Sequence, residues 1–170
     1  MQFHLNGFHA GDPDIYAPAP GHEGQPTTPL TIVDVLIVGC GPAGLTLAAQ
    51  LAAFPDIKTR IVEQKPGPME KGQADGLSCR SMEMFQAFGF AEKVKREACW
   101  VNETSFWNPN PANPGEIHRT GQIQDVEDGL SEMPHVIMNQ ARVHDRYLEV
   151  MRNSPTRLVP DYDRQVVDLV

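Results

Sequence analysis

An α/β fold built on a parallel sheet is the fold class that this sequence predicts, and three adjacent features predict it. Residues 33–38 are apolar and mostly β-branched apart from Asp34, which is typical of a parallel strand buried on both faces. The run Gly-Cys-Gly-Pro-Ala-Gly at residues 39–44 follows at once and opens a helical pattern. Glu63 ends the next predicted strand, residues 59–62. Together they predict a Rossmann-type nucleotide-binding unit with helices flanking the sheet.

A physical requirement explains each glycine of this motif. Gly39 permits a tight turn, Gly41 lets the backbone approach a diphosphate, and Gly44 lets the helix pack closely on the strand. Pro42 and Ala43 begin the helix, whose free N–H groups and dipole attract phosphate oxygens. The motif therefore predicts a diphosphate site.

Glu63 follows Gly44 by 19 positions, close to the spacing of about 20 expected for the acid that binds a ribose. A carboxylate there disfavours a 2′-phosphate, so the bound nucleotide is FAD or NAD rather than NADP. The motif does not distinguish between these two cofactors. The alternative to a nucleotide site is a glycine turn in a different kind of α/β protein. Gln64 and Lys65 are further candidates for contact with the adenosine, and Lys65 is equally a candidate surface charge.

The remaining elements follow in order along the chain. Residues 1–30 are rich in Gly, Pro and His and predict an irregular surface arm. The first helix, residues 43–54, has Leu47, Leu51 and Phe54 at helical spacing, and a second helix covers about residues 78–88. The elements expected after these are a short helix at 91–98, strands at 100–107 and 116–123 around a loop at 108–115, a strand at 135–138, a helix at 140–152, and two short strands within 157–170.

Composition excludes several classes of function. The net charge of −8 leaves no basic stripe for nucleic acid and disfavours an anionic membrane surface. No apolar run approaches the roughly 20 residues that span a bilayer, and no signal peptide is visible. The three cysteines form neither a metal motif nor a disulfide framework, so we expect no metal and a reducing, cytoplasmic setting.

Residues 72–83 separate a flavoprotein from an NAD-dependent dehydrogenase. Their sequence, GQADGLSCRSME, resembles the G-x-A-D-G-L-x-x-R-T-x-E stretch of the class A flavin-dependent aromatic hydroxylases, in the phenol hydroxylase branch. Ser81 stands where that pattern has Thr, which keeps the hydroxyl. Residues 135–148 resemble the following segment of the family, in which a Gln at the helix start touches the flavin, and Gln140 has that position.

The resemblance implies a defined chemistry and a set of site residues. FAD is reduced by NADPH and activates O₂, and one oxygen atom is added to a phenol or hydroxybenzoate ring beside its hydroxyl. Asp75 has the position of a carboxylate near the substrate hydroxyl, as hydrogen-bond acceptor or base, although an Asp there could instead cap the next helix. The stretch expected to line the flavin edge is Gly72, Gln73, Ala74, Asp75, Gly76 and Leu77.

For two further residues, the sequence leaves a functional and a structural interpretation open. Arg80 is assigned to the FAD diphosphate or ribitol, or is a solvated helix residue. His135 either faces the aromatic substrate or is a satisfied core histidine. Cys40 occupies a position of the glycine motif at which the residue type is not specified, and we assign it no reactivity.

The residue patterns and the resemblance together predict the domain organisation. An arm at 1–30 precedes an FAD-binding domain at 31–99 and 135–170, interrupted by an antiparallel excursion at 100–134 that begins a substrate domain. The second FAD motif of the family, Gly-Asp, is absent, so we expect a fragment of a longer, homodimeric protein that alone neither holds FAD tightly nor turns over. An NAD-dependent oxidoreductase, a phenol 2-monooxygenase-like enzyme and a non-catalytic nucleotide-binding fragment are the alternatives.

Overall fold

The computed structural model describes residues 3–4, 7–8, 14–24 and 32–168, and the chain divides into two compact units. The first unit is Met1–Lys71 with Ala141–Val170, and the second is Gly72–Gln140. The domain boundaries expected at 100 and 135 stay a prediction. In the described part of the chain, no helix is both long and apolar enough to cross a membrane.

The described elements include a strand-helix-strand unit whose two strands pair in parallel, which confirms the α/β class. In chain order they are β1 (Phe3–His4), β2 (Gly7–Phe8), β3 (Val35–Val38), α1 (Pro42–Leu51), β4 (Thr59–Val62), β5 (Gly76–Leu77), α2 (Cys79–Ala87), α3 (Ala91–Glu97), β6 (Cys99–Val101), β7 (Glu103–Asn110), β8 (Asn113–Gln124), β9 (His135–Ile137) and α4 (Gln140–Asn153).

In the first unit, β3 and β4 pair in parallel with Ile37 opposite Ile61, and α1 connects them. The predicted helix at 140–152 is confirmed as α4, and Val143, Tyr147 and Met151 on one face of it are all buried. The Thr46 hydroxyl of α1 donates to Tyr147 Oη of α4 at 2.9 Å.

The predicted first helix is confirmed as α1, but the apolar residues noted at helical spacing do not form its buried face. Leu47 and Phe54 are 46% and 47% exposed, whereas Leu45, Ala48 and Ala49 are buried. Helical spacing alone does not distinguish these two stripes.

The expectation that β3 is buried on both faces was also wrong. Ile37 is buried, but Leu36 and Val38 on the opposite face are 49% and 63% exposed. Among the described residues β3 pairs with β4 alone, so the structure covers one face of this strand and one of its edges.

Two terminal stretches differ from prediction. The arm is not wholly irregular, since β1 and β2 form a short antiparallel pair, and Ala19 is buried with its N–H bonded to Pro155 O at 2.9 Å. Residues 1–2, 5–6, 9–13 and 25–30 of the arm lie outside the described residues. The two strands expected within 157–170 reduce, over the described residues, to one parallel bridge between Asp161 and Val62.

The second unit contains an antiparallel sheet in the order β5-β9-β6, with α2 and α3 alongside. Helix α2 confirms its predicted position, and Gly89 beyond its end has a φ of +82°, a conformation that glycine adopts without strain. The central strand buries Val136 completely, while Ile137 beside it is exposed.

The loop predicted at residues 108–115 is mostly strand. Strand β7 continues to Asn110 and β8 begins at Asn113, so a two-residue turn joins them. Prolines favoured a loop, but in the described chain this sheet has two strands only, and each has a free edge. Proline is tolerated there because its missing N–H is not needed for pairing.

Candidate functional site

The glycine turn after β3 has the geometry expected for its three glycines. Gly39 has a φ of +96°, a left-handed conformation that side chains disfavour. A Cβ on Gly44 would lie 2.1 Å from Gly39 O, so only glycine lets α1 start this close to β3. A Cβ on Gly41 would meet no atom within 4 Å, so its backbone faces open space. The turn thus combines a close packing contact with an uncovered backbone.

The first turn of α1 is available to an anion. Its N-cap residue Gly41 supplies no side-chain hydrogen bond, Pro42 is in the first turn, and no acidic side chain is present in that turn. The N–H groups of Ala43 and Gly44 therefore have no acceptor within the helix. Uncapped N–H groups beside an open backbone fit a diphosphate.

Glu63 lies directly beside this turn. Its Oε2 accepts the Cys40 N–H at 2.8 Å, and its Oε1 accepts the Lys65 N–H at 3.0 Å. Partial burial raises the pKa of the Glu63 carboxyl, but these backbone N–H groups and the Lys65 charge outweigh it and hold the pKa below its ordinary 4.5. The carboxylate stays ionised, and each oxygen keeps a lone pair for a sugar hydroxyl.

Cys40 is not a reactive thiol. Its side chain is 3% exposed, and burial, followed by the negative charge of Glu63, raises its pKa to about 12. The absence of reactivity expected from the sequence agrees with this environment.

Gln64 and Lys65 are both exposed. Lys65 O accepts the Asp163 N–H at 3.0 Å, and Glu63 O accepts the Arg164 N–H at 2.9 Å. The backbone at the end of β4 is thereby held in place, while the Lys65 side chain is in solvent.

In the second unit, the segment that begins at Gly72 packs against Gln140 and is hydrogen-bonded to its side chain. A Cβ on Gly72 would lie 2.4 Å from Gln140 Cβ, and Gln140 Oε1 accepts the Gln73 N–H at 2.9 Å. The side chain of Gln140 therefore orients the segment predicted to line the flavin. Its carbonyl oxygen is used for that purpose, which leaves the amide N–H group as the part suited to a ligand.

Asp75 does not cap α2, which excludes the alternative interpretation of this residue as a helix cap. The N-cap is Ser78, whose Oγ accepts the Ser81 N–H. Asp75 O instead accepts the Met138 N–H at 2.8 Å, and the residue is exposed, as is Ala74 next to it. Gly76 and Leu77 follow as β5, so the backbone holding this carboxylate is part of a sheet.

Arg80 is a solvated helix residue in this structure. Its side chain is 90% exposed and forms an i,i+3 ion pair with Glu83 at 3.3 Å. Exposed pairs of this kind contribute little, about 0–1 kcal/mol. The guanidinium is therefore free to change partner, and its assignment to FAD stays a prediction.

His135 has a partner that the sequence did not indicate. Its Nδ1 lies 2.6 Å from Asp125 Oδ2, and the two side chains are 30% and 16% exposed. A bulky side chain at position 76 would approach the other ring nitrogen, since a Cβ on Gly76 would lie 3.6 Å from His135 Nε2. Residue 125 follows a predicted strand and carries no motif, so only the tertiary structure reveals this pair.

The structure brings the predicted residues together in two sets. Glu63, Lys65 and the glycine turn meet in the first unit, and the residues of the second unit meet around β5 and β9. The second set consists of Gly72, Gln73, Asp75, Gly76, His135 and Gln140.

Comparison with known proteins agrees with this geometry. The sequence model of the family described as FAD binding domain matches residues 32–159, more than half of the chain. The chain therefore belongs to the FAD-binding domain family, as the residues of the glycine turn and of segment 72–83 predicted. This family assignment disfavours an NAD-dependent dehydrogenase.

The particular relatives are monooxygenases. The chain is 67% identical over 174 aligned residues to 3-hydroxybenzoate 4-monooxygenase of Comamonas testosteroni, which covers 99% of this chain and 26% of that protein. It is 43% identical to the FAD-dependent monooxygenase terD of Aspergillus terreus, over 78% of this chain and 22% of that protein. The chain thus spans about a quarter of the length of the curated relatives it matches.

Solved structures share the fold. The flavin-dependent monooxygenase PieE, in complex with FAD and substrate, matches 80% of this chain and 24% of its own with a TM-score of 0.62 at 23% identity. The p-nitrophenol 4-monooxygenase PnpA of Pseudomonas putida matches 78% of this chain and 32% of its own with a TM-score of 0.65 at 18% identity.

Proposed function

We propose that this chain serves in an FAD-dependent monooxygenase that converts 3-hydroxybenzoate to 3,4-dihydroxybenzoate with NADPH and O₂. The single observation that carries the substrate is the 67% identity to the Comamonas enzyme along 99% of the chain. The open glycine turn and the ionised Glu63 support FAD as the cofactor.

In this proposal the first unit binds the adenosine diphosphate part of FAD. The N–H groups of Ala43 and Gly44 donate to the diphosphate, for which Gly41 leaves room. Glu63 accepts hydrogen bonds from the ribose hydroxyls, and the exposed Gln64 and Lys65 lie next to the adenosine.

The second unit serves the reacting end. FAD, when bound and reduced, supplies the activation of O₂. Backbone groups of residues 72–77 line the flavin edge, and Gln140 orients this segment through the Gln73 N–H. Arg80, whose side chain is exposed, pairs with oxygens of the FAD diphosphate or ribitol. Asp75 accepts the proton or hydrogen bond of the substrate hydroxyl, which makes the ring more electron-rich and more reactive toward an electrophilic oxygen. His135 contacts the aromatic substrate.

The assembly and location belong to the same proposal. A reducing cytoplasmic setting is supported by Cys40, Cys79 and Cys99, all free thiols in the described chain. A homodimer is what the family resemblance implies.

The test is NADPH oxidation by the complete protein containing this chain, with the product identified by chromatography. We expect a yellow protein that forms 3,4-dihydroxybenzoate from 3-hydroxybenzoate. Preferred turnover of phenol would support the phenol 2-monooxygenase alternative, and a colourless protein would contradict the flavin assignment.

Asp75→Asn tests the assigned residue. We expect bound FAD to be retained and hydroxylation to slow by roughly 100-fold, the scale of a lost general base. Asp56→Asn, an exposed carboxylate in the first unit, is the control and keeps the parental rate. Parental hydroxylation by Asp75→Asn would remove the role given to Asp75.

A further inference from the structure

The pair formed by Asp125 and His135 is the starting point for a further inference. A separation of 2.6 Å between Nδ1 and Oδ2 is short for a hydrogen bond between these groups, and both side chains are largely buried. A carboxylate has no proton to donate when ionised, so the imidazole Nδ1 supplies the proton.

Asp125 is itself anchored on both sides. Its N–H donates to Asn102 O at 3.0 Å, and its second carboxylate oxygen accepts from Thr104 Oγ1 at 3.5 Å. A carboxylate whose backbone and second oxygen are tied to the sheet can hold the ring in one orientation.

The other ring nitrogen faces the sheet surface beside Gly76. In the antiparallel register, Gly76 is opposite Ile137, and Val101 is opposite His135. Opposed residues and alternate residues of one strand share a face. His135 and Gly76 therefore lie on one face, opposite to the buried Val136, and the missing side chain at Gly76 leaves Nε2 uncovered there.

We propose that Asp125 is a positioning residue, which fixes the proton of His135 on Nδ1 and thereby presents Nε2 to the aromatic substrate on the face that Gly76 leaves uncovered. This inference rests on the proposed function, because it assumes that a phenolic acid binds at this face of β5 and β9. The physical reason is that the partner of one imidazole nitrogen decides the state of the other. Without Asp125 the ring is free to rotate and to change tautomer, and substrate contact weakens.

The first test measures substrate affinity in the complete holoenzyme. Asp125→Ala should raise the KM and the substrate Kd, read from the change in flavin absorbance on titration, by roughly tenfold, while the kcat changes much less. Asp128→Ala is the matched control: this exposed carboxylate of the same segment accepts from Gln124 Nε2 and should leave the KM unchanged.

A double substitution separates positioning from a general effect on the fold. If Asp125 acts through His135, Asp125→Ala should have no further effect on the Kd in a His135→Ala background. An undiminished effect in that background would overturn the proposal.

A measurement on the unchanged protein covers the case in which Asp125→Ala does not fold. With ¹⁵N-labelled histidine, and His135→Gln to assign the resonance, we expect a proton on His135 Nδ1. A neutral ring protonated at Nε2 alone would overturn the proposal. Failure of the proposed function is distinct from this, since the parental enzyme would then not hydroxylate 3-hydroxybenzoate, whatever the state of His135.

Discussion

The carboxylate of Glu63 accepts the backbone N–H of Cys40 at 2.8 Å, which joins the end of β4 to the middle of the glycine turn. The acid therefore supports the glycine turn, in addition to the ribose contact that we propose for it. A change at Glu63 is expected to affect both cofactor affinity and the local structure, and the two effects can be measured separately.

Glu63→Gln should weaken FAD binding by roughly tenfold, because a neutral amide is a poorer acceptor than a carboxylate. The measurement is fluorescence titration of the complete apoprotein with FAD. Glu70→Gln, at an exposed loop position in the same unit, is the control. Unchanged affinity in Glu63→Gln would exclude a ribose contact.

Stability in acid should depend on the same carboxyl. The pKa of Glu63 in the folded state lies below its ordinary value of 4.5, so the folded state binds fewer protons than the unfolded state in that range. The stabilisation is fully present above pH 4.5 and is lost as the pH falls through the folded-state pKa. The free energy of unfolding, measured against pH, should therefore decline less steeply below pH 4.5 in Glu63→Gln than in the parent; parallel curves would contradict this.

Two glycines of one motif should respond differently to alanine. Gly44→Ala places a Cβ against Gly39 O and should destabilise the fold by about 3 kcal/mol, at the upper end of typical overpacking costs. Gly41→Ala meets no protein atom, so it should leave stability nearly unchanged and weaken FAD binding. Denaturant unfolding and FAD titration of both variants test this difference. If Gly41→Ala lost as much stability as Gly44→Ala, Gly41 would serve the fold and not the binding of a ligand.

Cys40 should resist alkylation. Its burial and a pKa raised to about 12 leave almost no thiolate at pH 8. Mass spectrometry after iodoacetamide treatment should find Cys40 unmodified in the native protein and modified after unfolding in denaturant. Labelling of native Cys40 at the rate seen in denaturant would show that this turn opens in solution.

Local sequence was sufficient where one short segment decides the structure. The turn at 39–44 was predicted because positive φ and close helix packing demand glycine, and α2 was placed correctly by its helical pattern and by Gly89. That Ser78 and not Asp75 caps α2 was decided only by the structure.

Distant packing decided the rest. The exposed face of β3 and the outward position of Leu47 depend on which elements cover the sheet, and periodicity does not contain that information. The prolines of the β7–β8 hairpin led to the wrong prediction of a loop at 108–115. A strand tolerates proline where its edge is free, and the sequence does not show which edges are free.

The sequence by itself determined the glycine turn and its acidic partner, because glycine geometry and a spaced carboxylate act within about 25 residues of chain. Segment 72–83 determined the family, because its motif is a short local run of sequence. Only the tertiary structure decided that Asp125 reaches His135 and that Gln140 reaches Gln73. Such side-chain contacts depend on strand register and turn geometry, which result from packing of the whole unit and not from the pattern of any one segment.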